Sequence, residues 1–227
     1  MLEVWAVDVA AEIARMAGHV GRLTADEVRR AARFYRDEDR HRFVVARSTR
    51  RVLLARQLGV DPAALVFEEG RYGKPRLRAD GGPVPSFNSS HSGRWVLHAI
   101  GDVDVGVDVE RIRCDFARLD DFLWILSPEE RAVASAAAEP MRAAILATIW
   151  VRKEAYVKAL GEGLSRSLPD IAIAADAAGP ALAYDRNPGK RATRWRFVDL
   201  EIDESHKACL VHAGPHREIA VRAWCSR

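Results

Sequence analysis

Carboxylates alternate with valines in the segment DVDVGVDVE, residues 102–110. In a β-strand this alternation puts Asp108 and Glu110 on one face, about 7 Å apart along the strand. Gly106 falls on that same face and leaves bare backbone beside the two acids. Two carboxylates next to a cleared space suit a hard cation with oxygen ligands, so we expect Mg²⁺, with Mn²⁺ as the alternative ion. A half-buried strand with a solvated polar face would give the same alternation.

A mostly apolar segment, WVRKEAYVKALGEG at residues 150–163, carries two charged residues one helical turn apart. Glu154 and Lys158 fall together at the edge of the apolar arc of this predicted helix. They could line a catalytic site, but a Glu four residues before a Lys is also the ordinary stabilising pair of exposed helices. Lys153 falls inside the apolar arc, where its long side chain could still reach the surface, and the pattern gives it no role.

Two further segments could bind phosphate. In FNSSHSG, residues 87–93, Ser90 and His91 could donate to phosphate oxygens, although a hydrogen-bonded turn entering a strand explains them equally well. No nearby Asp orients His91, so a Ser-His-Asp nucleophile is not indicated. Lys74 lies on a Gly-Pro turn in RYGKP and lacks the GxxxxGK[ST] context of a P-loop. In isolation it would be a surface lysine.

Arginines are dense between residues 29 and 56. Guanidinium groups match the oxygens of phosphate in pairs, so this region predicts a site for a phosphorylated ligand. A solvated helix face is the alternative, since three acids at residues 37–39 interrupt the run. The arginines of interest are Arg30, Arg33, Arg36, Arg40, Arg42, Arg47, Arg50 and Arg51.

Helices and strands that could position these residues can be read from capping and periodicity. Thr24 and Glu27 form a capping box at the start of a helix over 23–35. A second helix over 39–59 ends at Gly59, a third begins at Ser127, and a fourth runs from about Pro140 to Gly161. The segment 68–93 is predicted to be loop-rich. Strands are predicted over 4–10, 94–101, 103–110, 170–174, 193–202, 206–214 and 218–224. The chain therefore reads as two units of similar content, 1–103 and 104–227.

Composition narrows the class of protein. A chain of 227 residues with 48% hydrophobic and 30% charged residues is typical of a soluble globular protein. The net charge of +3 favours an acidic partner without being a nucleic-acid footprint. Three scattered cysteines, Cys114, Cys209 and Cys225, argue against a disulfide framework or a zinc site. Since no signal peptide or membrane span is recognisable, we expect a cytoplasmic protein.

Taken in order, RYGKP, FNSSHSGRWV, GVDVE and WVRKEAYVKALGEGL resemble the motif series of the 4′-phosphopantetheinyl transferases. The likeness is to the larger, monomeric class named for the surfactin synthetase activator, and RRAARFYRDEDRHRF is similar to that class as well. It runs from about Arg29 to Leu164 and covers most of the chain. The resemblance implies an α+β pseudo-dimer of two similar α/β halves. Each half would be a helix packed on a small, mostly antiparallel sheet, with the active site at their junction.

The family resemblance also implies a reaction. Such enzymes transfer the 4′-phosphopantetheine arm of coenzyme A to a serine of an apo acyl- or peptidyl-carrier protein, and they release 3′,5′-ADP. The resemblance makes Glu154 and Lys158 catalytic, and Asp108, Glu110 and Glu154 the residues around magnesium. It assigns coenzyme A to Arg30, Arg42, Lys74, Ser90, His91, Asp108 and Lys158, with Arg30 and Arg42 toward the 3′-phosphate. Glu27 departs from the pattern, because relatives can carry a phosphate-binding lysine there.

The carrier protein is expected to be an acidic helical bundle. The segment RIRCDFARLDDFLWIL, residues 111–126, would help to dock it through Ile112, Phe116, Leu119 and Phe122, although core packing explains each of these equally well. Two other functions compete with transfer. A degenerate relative that binds coenzyme A without catalysis would have lost Asp108, Glu110, Glu154 or Lys158. A nucleic-acid binder would interleave more aromatics with the arginines.

Overall fold

Helix boundaries in this chain follow from local capping signals. A computed structural model describes residues 2–70, 72–78, 82–113, 116, 118–176, 179–187 and 194–225. The helices α3 (Ala25–Ala31) and α5 (Pro128–Ala136) each begin with a capping box, formed by Thr24 with Glu27 and by Ser127 with Glu130. These boxes satisfy N–H groups that the first helical turn leaves unpaired. Both predicted helix starts are confirmed.

The two long helices are α4 (Asp37–Leu58) and α6 (Glu139–Leu160), each of 22 residues. Each stops at a glycine with positive φ, Gly59 at 68° and Gly161 at 74°. This left-handed conformation is how a glycine closes a helix, so both predicted ends are confirmed. Two short helices, α1 (Val9–Glu12) and α2 (Met16–Val20), lack a long periodic pattern and were not predicted.

Two main sheets carry the core. The first has the order β11-β1-β5-β4 and the second the order β6-β10-β9. Neighbouring strands are antiparallel except for β1 and β11, which are parallel. Two further sheets, β2-β3 and β7-β8, have two antiparallel strands each. The strands are β1 (Leu2–Asp8), β2 (Phe67–Glu69), β3 (Pro75–Leu77), β4 (Ser86–Ser92), β5 (Trp95–Gly101), β6 (Val105–Arg111), β7 (Ile171–Asp176), β8 (Gly179–Asp185), β9 (Trp195–Leu200), β10 (His206–Ala213) and β11 (Ile219–Ala223).

The order of elements repeats within the chain. Each half runs through a strand, a capped helix, a 22-residue helix, a hairpin and two further strands. The sheet order β1-β5-β4 of the first half matches the order β6-β10-β9 of the second. The fold is therefore the expected α+β pseudo-dimer, with α4 against β4 and β5 and α6 against β6 and β10. The last strand, β11, returns to pair with β1 in the first sheet.

The predicted valine face of β6 is buried. Val105, Val107 and Val109 are each 0% exposed and belong to one apolar cluster with Leu97 of β5 and Leu210 of β10. Burying such side chains contributes roughly 1.5–3 kcal/mol each. The opposite face of β6, with Asp108 and Glu110, is thereby turned toward α6, which makes extensive contacts with this strand.

Two predictions about local structure need correction. The segment 68–93 contains loops as predicted, but it also contains part of β2 and all of β3 and β4. Its polar strand residues find partners across the junction of the two sheets, which an apolar periodicity cannot reveal. The helix predicted over 23–35 ends at Ala31.

Candidate active site

The two sheets meet along their edge strands, β4 and β6, and polar side chains join them. Asn88 Oδ1 accepts from Val107 N at 2.9 Å. Ser90 and Ser92, the next two residues on that face of β4, accept from Val109 N at 3.4 Å and Arg111 N at 3.1 Å. This side-chain ladder satisfies edge N–H groups that would otherwise lack partners. The segment FNSSHSG is thus a strand, and the expected turn begins only at Gly93.

The same serine ladder holds the two carboxylates of β6. Ser90 Oγ donates to Asp108 Oδ1 at 2.6 Å, and Ser92 Oγ donates to Glu110 Oε2 at 2.6 Å. Asn88 and Ser92 were not predicted as site residues. Their signal was the period-2 spacing of Asn88, Ser90 and Ser92, which puts all three on one strand face.

An ammonium from α6 completes this cluster. Lys158 Nζ donates to Asp108 Oδ1 at 2.5 Å and to Ser90 Oγ at 3.2 Å, while Glu154 Oε2 lies 3.9 Å away. Burial lowers the pKa of Lys158, but the attraction of Asp108, with smaller contributions from Glu154 and Glu110, is stronger. The pKa of Lys158 is therefore raised. Ser90, Asp108 and Lys158 are therefore brought together as predicted, and Glu154 faces Lys158 rather than solvent.

Two carboxyl groups of the cluster have raised pKa values. Burial raises the pKa of Glu154, and repulsion from Asp108 and Glu110 adds to the shift although Lys158 opposes it. Burial also raises the pKa of Glu110, against hydrogen bonds from Ser92 and the Trp150 indole. Trp150 was predicted only as an apolar helix residue. Carboxylates whose negative charge is poorly solvated hold protons more readily.

Gly106 does not leave an open space beside the acids, contrary to the sequence-based interpretation. A Cβ atom at this position would lie 2.0 Å from Ala155 O and 2.4 Å from Ala159 N. The backbone of α6 therefore lies directly on β6 at the glycine. This close approach is what brings Glu154 and Lys158 within reach of Asp108.

The donor set can be tested against a hard cation. Two buried carboxylate oxygens, Asp108 Oδ2 and Glu154 Oε1, have no hydrogen-bond partner. Carboxylate oxygens are the ligands that Mg²⁺ prefers. Among the described residues, however, no three His, Cys, Asp or Glu side chains already converge as a metal-binding group. Lys158 occupies the neighbouring oxygen of Asp108. The residues therefore provide the ligand type that magnesium prefers. They offer two unpartnered carboxylate oxygens and not a complete set of protein ligands.

Basic side chains form a second group beside the first. Arg42 Nε donates to Gly93 O at 2.9 Å, close to His91 in the chain. Desolvation lowers the pKa of His91, and the positive charges of Arg42, Lys158 and Arg47 lower it further. A histidine in so positive a field stays neutral at physiological pH and can donate a hydrogen bond without adding charge.

Arg30 belongs to this basic side of the molecule. The guanidinium groups of Arg30 and Arg47 lie 5.6 Å and 5.2 Å from the ring centre of Phe43. Arg47 was noted only as one arginine among many. Arg47 lies four residues, about one helical turn, after Phe43, and this spacing indicates that the two side chains share a helix face.

The Glu27 carboxylate is engaged in structural contacts and not in phosphate binding. Its carboxylate caps α3 by accepting from Thr24 N at 3.0 Å, and it also accepts from Arg51 Nε at 3.1 Å. Burial would raise its pKa, but the Thr24 N–H and the arginines hold the pKa below its usual value. The acid at this position is thus a structural pair for Arg51.

Lys74 is not brought to the phosphate-binding group that the sequence predicts. Its ammonium donates to Val105 O at 2.9 Å and lies 3.5 Å from Ala159 O. Burial lowers the pKa of Lys74 to about 8, with Asp104 opposing the shift. It lines a separate cavity of about 230 Å³ together with Arg76.

An aromatic cavity of about 370 Å³ opens next to Glu110. Trp124, which is 56% exposed, meets Trp150 edge to face with ring centres 5.5 Å apart. Phe116 and Phe122 form a second ring pair, at 5.1 Å. Cys114, Asp115 and Ala117 of the predicted docking segment lie outside the described residues.

Comparison with known proteins decides the family. Residues 104–211 match the family model described as the 4′-phosphopantetheinyl transferase superfamily, and residues 12–101 match its N-terminal model. The 4′-phosphopantetheinyl transferase HetI of Nostoc sp. is 30% identical over 219 residues, covering 94% of this chain and 88% of that protein. The chain belongs to the 4′-phosphopantetheinyl transferases. A 4′-phosphopantetheinyl transferase of Bacillus subtilis is 28% identical over 189 residues. This match covers 83% of the present chain and 75% of the Bacillus subtilis protein.

Solved structures are similar to part of this transferase. The holo-(acyl-carrier-protein) synthase of Bacillus anthracis, solved in complex with coenzyme A (3′,5′-ADP), matches with a TM-score of 0.41 and 23% identity. That match covers 49% of this transferase and 95% of the synthase. Within the described residues, no helix has the length and apolar character that a membrane crossing requires.

Proposed function

We propose that this transferase moves the 4′-phosphopantetheine arm of coenzyme A to a serine hydroxyl of an apo acyl- or peptidyl-carrier protein, with magnesium, and releases 3′,5′-ADP. The observation that carries the proposal is the meeting of Glu154 and Lys158 from α6 with Asp108 from β6. A base, a phosphate-binding cation and two orphaned carboxylate oxygens lie together there. Phosphoryl transfer depends on such positioning and charge stabilisation more than on covalent chemistry.

Glu154 is the base in this mechanism. A serine hydroxyl is a weak nucleophile until its proton is removed. Glu154 Oε1 is buried and unpartnered, and the raised pKa of this carboxyl favours uptake of the proton. The serine Oγ bonds to the phosphorus that carries the pantetheine arm. The bond from that phosphorus to the bridging oxygen breaks, and 3′,5′-ADP leaves with the electron pair.

Lys158 and Ser90 handle the charge of the pyrophosphate. Lys158 stays protonated beside Asp108, so it can neutralise negative charge that develops on the leaving oxygen. Ser90 Oγ accepts from Lys158 Nζ and holds the ammonium in place. Magnesium would be held by carboxylate oxygens of Asp108, Glu110 and Glu154. When bound, it would supply further positive charge to the pyrophosphate. Mn²⁺ is the alternative ion.

The nucleotide end of coenzyme A is assigned to the basic group. Arg30 and Arg42 are proposed for the 3′-phosphate, with His91 as a neutral donor between them and Lys158. Arg47 adds a guanidinium that the family motifs did not single out, and it lies on the same side as Arg30. The bonds of Lys74 to two carbonyl groups favour a tethering role for it over phosphate binding.

The carrier protein is proposed to dock over the aromatic cavity. This cavity begins at Glu110 and extends to the exposed Trp124, so an acidic helical carrier seated there would bring its serine to Glu154. Phe116, Phe122 and Trp124 line the cavity and are the proposed docking contacts. Leu119 packs against the core, and Ile112 does not line this cavity. We also propose that the transferase acts as a monomer with halves 1–103 and 104–227, because one chain supplies both sides of the site.

A single assay tests transfer. The protein is incubated with an apo carrier, coenzyme A and Mg²⁺, and the mass of the carrier is measured. Transfer adds a phosphopantetheine group to the carrier. No addition to either fatty-acid or peptidyl carriers, in a protein that still binds coenzyme A, would support a non-catalytic coenzyme A-binding relative instead.

A further inference from the structure

Lys153, which the motif contains without an evident role, is completely buried. Its side chain is 0% exposed, and its ammonium meets Glu130 Oε2 at 2.5 Å. It also donates to Ile125 O at 2.6 Å and Leu168 O at 2.9 Å. All three N–H groups of the ammonium therefore have partners. Three segments outside α6 are held by this one side chain.

Glu130 is equally engaged. Besides Lys153, its carboxylate accepts from Ser127 N at 2.8 Å in the capping box of α5 and from Ile173 N of β7 at 3.2 Å. The side chain is 7% exposed. The Lys153–Glu130 pair thus connects α6 to the start of α5 and to β7 at defined atoms.

The contact of Ala155 and Ala159 with Gly106 holds one face of α6 on β6, and Lys153 lies about 200° round the helix from Ala155, on the far side. Residues 153–157 are five consecutive buried positions, so this part of the helix has no solvent-facing side. Where a helix is buried all round, no boundary between an apolar and a solvated face helps to set its rotation. A single buried polar group is a known way to specify one register among several apolar ones.

The internal repeat places the same device in the first half. Arg51 is the fifteenth residue of α4, as Lys153 is of α6, and it pairs with Glu27, the capping-box acid of α3. Arg51 also donates to the carbonyls of Pro62 and Leu65, after its helix. Both halves therefore lock their long helix through a buried cation, a capping glutamate and two carbonyls.

We propose that the Lys153–Glu130 pair fixes the rotation of α6, so that the next residue, Glu154, and Lys158 face Asp108. Lys153 is then a positioning residue that never touches substrate. The effect on catalysis rests on the proposed function, while the effect on helix rotation does not. The pair of Arg51 and Glu27 fixes the rotation of α4 in the same way. Helix α4 carries none of the site residues Asp108, Glu110, Glu154 and Lys158.

The test removes the pair without leaving a lone charge. In Lys153→Met/Glu130→Gln, the glutamine keeps an acceptor for Ser127 N or Ile173 N and the methionine fills the volume of the lysine. Helix rotation is read from near-UV circular dichroism of the Trp124–Trp150 contact, whose rings are inclined by 72°. Trp124→Phe identifies the part of the spectrum that this contact produces.

We expect the double variant to melt cooperatively, to lose the Trp124–Trp150 signal and to lose about 10²-fold in kcat, the scale of a small misplacement of catalytic groups. Lys153→Arg should keep both the signal and kcat, since the first half uses an arginine at this position. If the double variant does not fold, Lys153→Gln/Glu130→Gln, which carries no charge and keeps hydrogen-bonding groups at both positions, takes its place with the same readouts.

Two control variants separate rotation from stability. Arg152→Met/Asp199→Asn removes the ion pair of the adjacent residue on α6, where Asp199 is 43% exposed, and should keep the signal and kcat. Arg51→Met/Glu27→Gln should lower the melting temperature but keep the Trp124–Trp150 signal.

Specific outcomes would overturn the proposal. A folded Lys153→Met/Glu130→Gln protein with wild-type signal and kcat would do so, as would equal losses in Arg152→Met/Asp199→Asn. The dichroism needs neither coenzyme A nor carrier. A wild-type protein that transfers nothing would therefore overturn the proposed function and leave the rotation to be judged by the spectrum.

Discussion

Lys158 Nζ lies 2.5 Å from Asp108 Oδ1, and this contact joins the last turns of α6 to the middle of β6. Both partners are largely withdrawn from solvent, at 25% and 3% side-chain exposure. The pair neutralises Asp108, yet it leaves Asp108 Oδ2 and the neighbouring Glu154 Oε1 without partners. Buried polar atoms without partners are costly. The presence of two such oxygens in one site supports the binding of a ligand that contacts both of them.

Glu154→Ala is expected to remove transfer while preserving the fold. Loss of a general base typically lowers kcat about 10²–10⁴-fold, whereas removing a buried carboxyl with a raised pKa costs the fold little. Carrier mass spectrometry measures the rate, and circular dichroism checks the fold. Glu139→Ala, an exposed glutamate at the start of the same helix, is the matched control. A fully active Glu154→Ala protein would show that the base is assigned wrongly.

Magnesium is expected to stabilise the wild-type protein through the orphaned oxygens. Binding at a hundred times the dissociation constant adds about 2.7 kcal/mol to the free energy of unfolding. The rise in melting temperature with Mg²⁺ should disappear in Asp108→Asn/Glu154→Gln. Asp120→Asn, which changes an exposed acid, should keep it. An equal Mg²⁺ response in all three proteins would exclude these carboxylates as the metal site.

The features that the sequence predicts correctly are those whose signals are local. The capping boxes at Thr24 and Ser127, the glycine helix ends and the valine face of β6 each follow from a few neighbouring residues. Features whose partners are distant in the chain were not predicted. The bond from Val107 N to Asn88 spans 19 residues, and the period-2 spacing of Asn88, Ser90 and Ser92 shows that they share a strand face but not which backbone groups they bind.

Two residues were misread for the same reason. Gly106 looked like space for a ligand because its spacing in β6 cannot show that α6 lies on it. Lys153 was interpreted as a side chain that could reach the surface, because its buried partner Glu130 belongs to a different helix. Four residues of the site nevertheless carried a readable pattern: the alternation of Asp108 and Glu110, and the one-turn spacing of Glu154 and Lys158.

Gly106→Ala is expected to destabilise the protein severely. The new Cβ would lie 2.0 Å from Ala155 O and 2.4 Å from Ala159 N, both backbone atoms of α6. Overpacking of a core typically costs about 1–3 kcal/mol, and here the helix that carries Glu154 must move. We therefore expect kcat to fall together with the free energy of unfolding, measured by urea denaturation. Gly82→Ala, where nothing lies within 4 Å, should change neither. A stable, active Gly106→Ala protein would contradict the direct contact of α6 with β6.

His98 is expected to make the fold sensitive to acid. The ring is 1% exposed, and burial, with Arg50 and His91 adding to it, lowers its pKa to about 3. Thr49 Oγ1 already donates to Val45 O, so it accepts from His98 Nε2–H at 2.8 Å, and Ser89 Oγ donates to Nδ1 at 2.7 Å. The neutral ring is thereby fully satisfied.

The direction of the pH effect follows from where the proton binds. Below about pH 6.5 the unfolded chain protonates this histidine and the folded chain does not, so stability is lost as the pH falls toward the folded-state pKa. Between pH 7 and pH 5 this group should remove about 2 kcal/mol from the free energy of unfolding. Urea denaturation at both pH values measures the loss, and His98→Gln should show a smaller one. The same loss in the variant would mean that another group binds the proton.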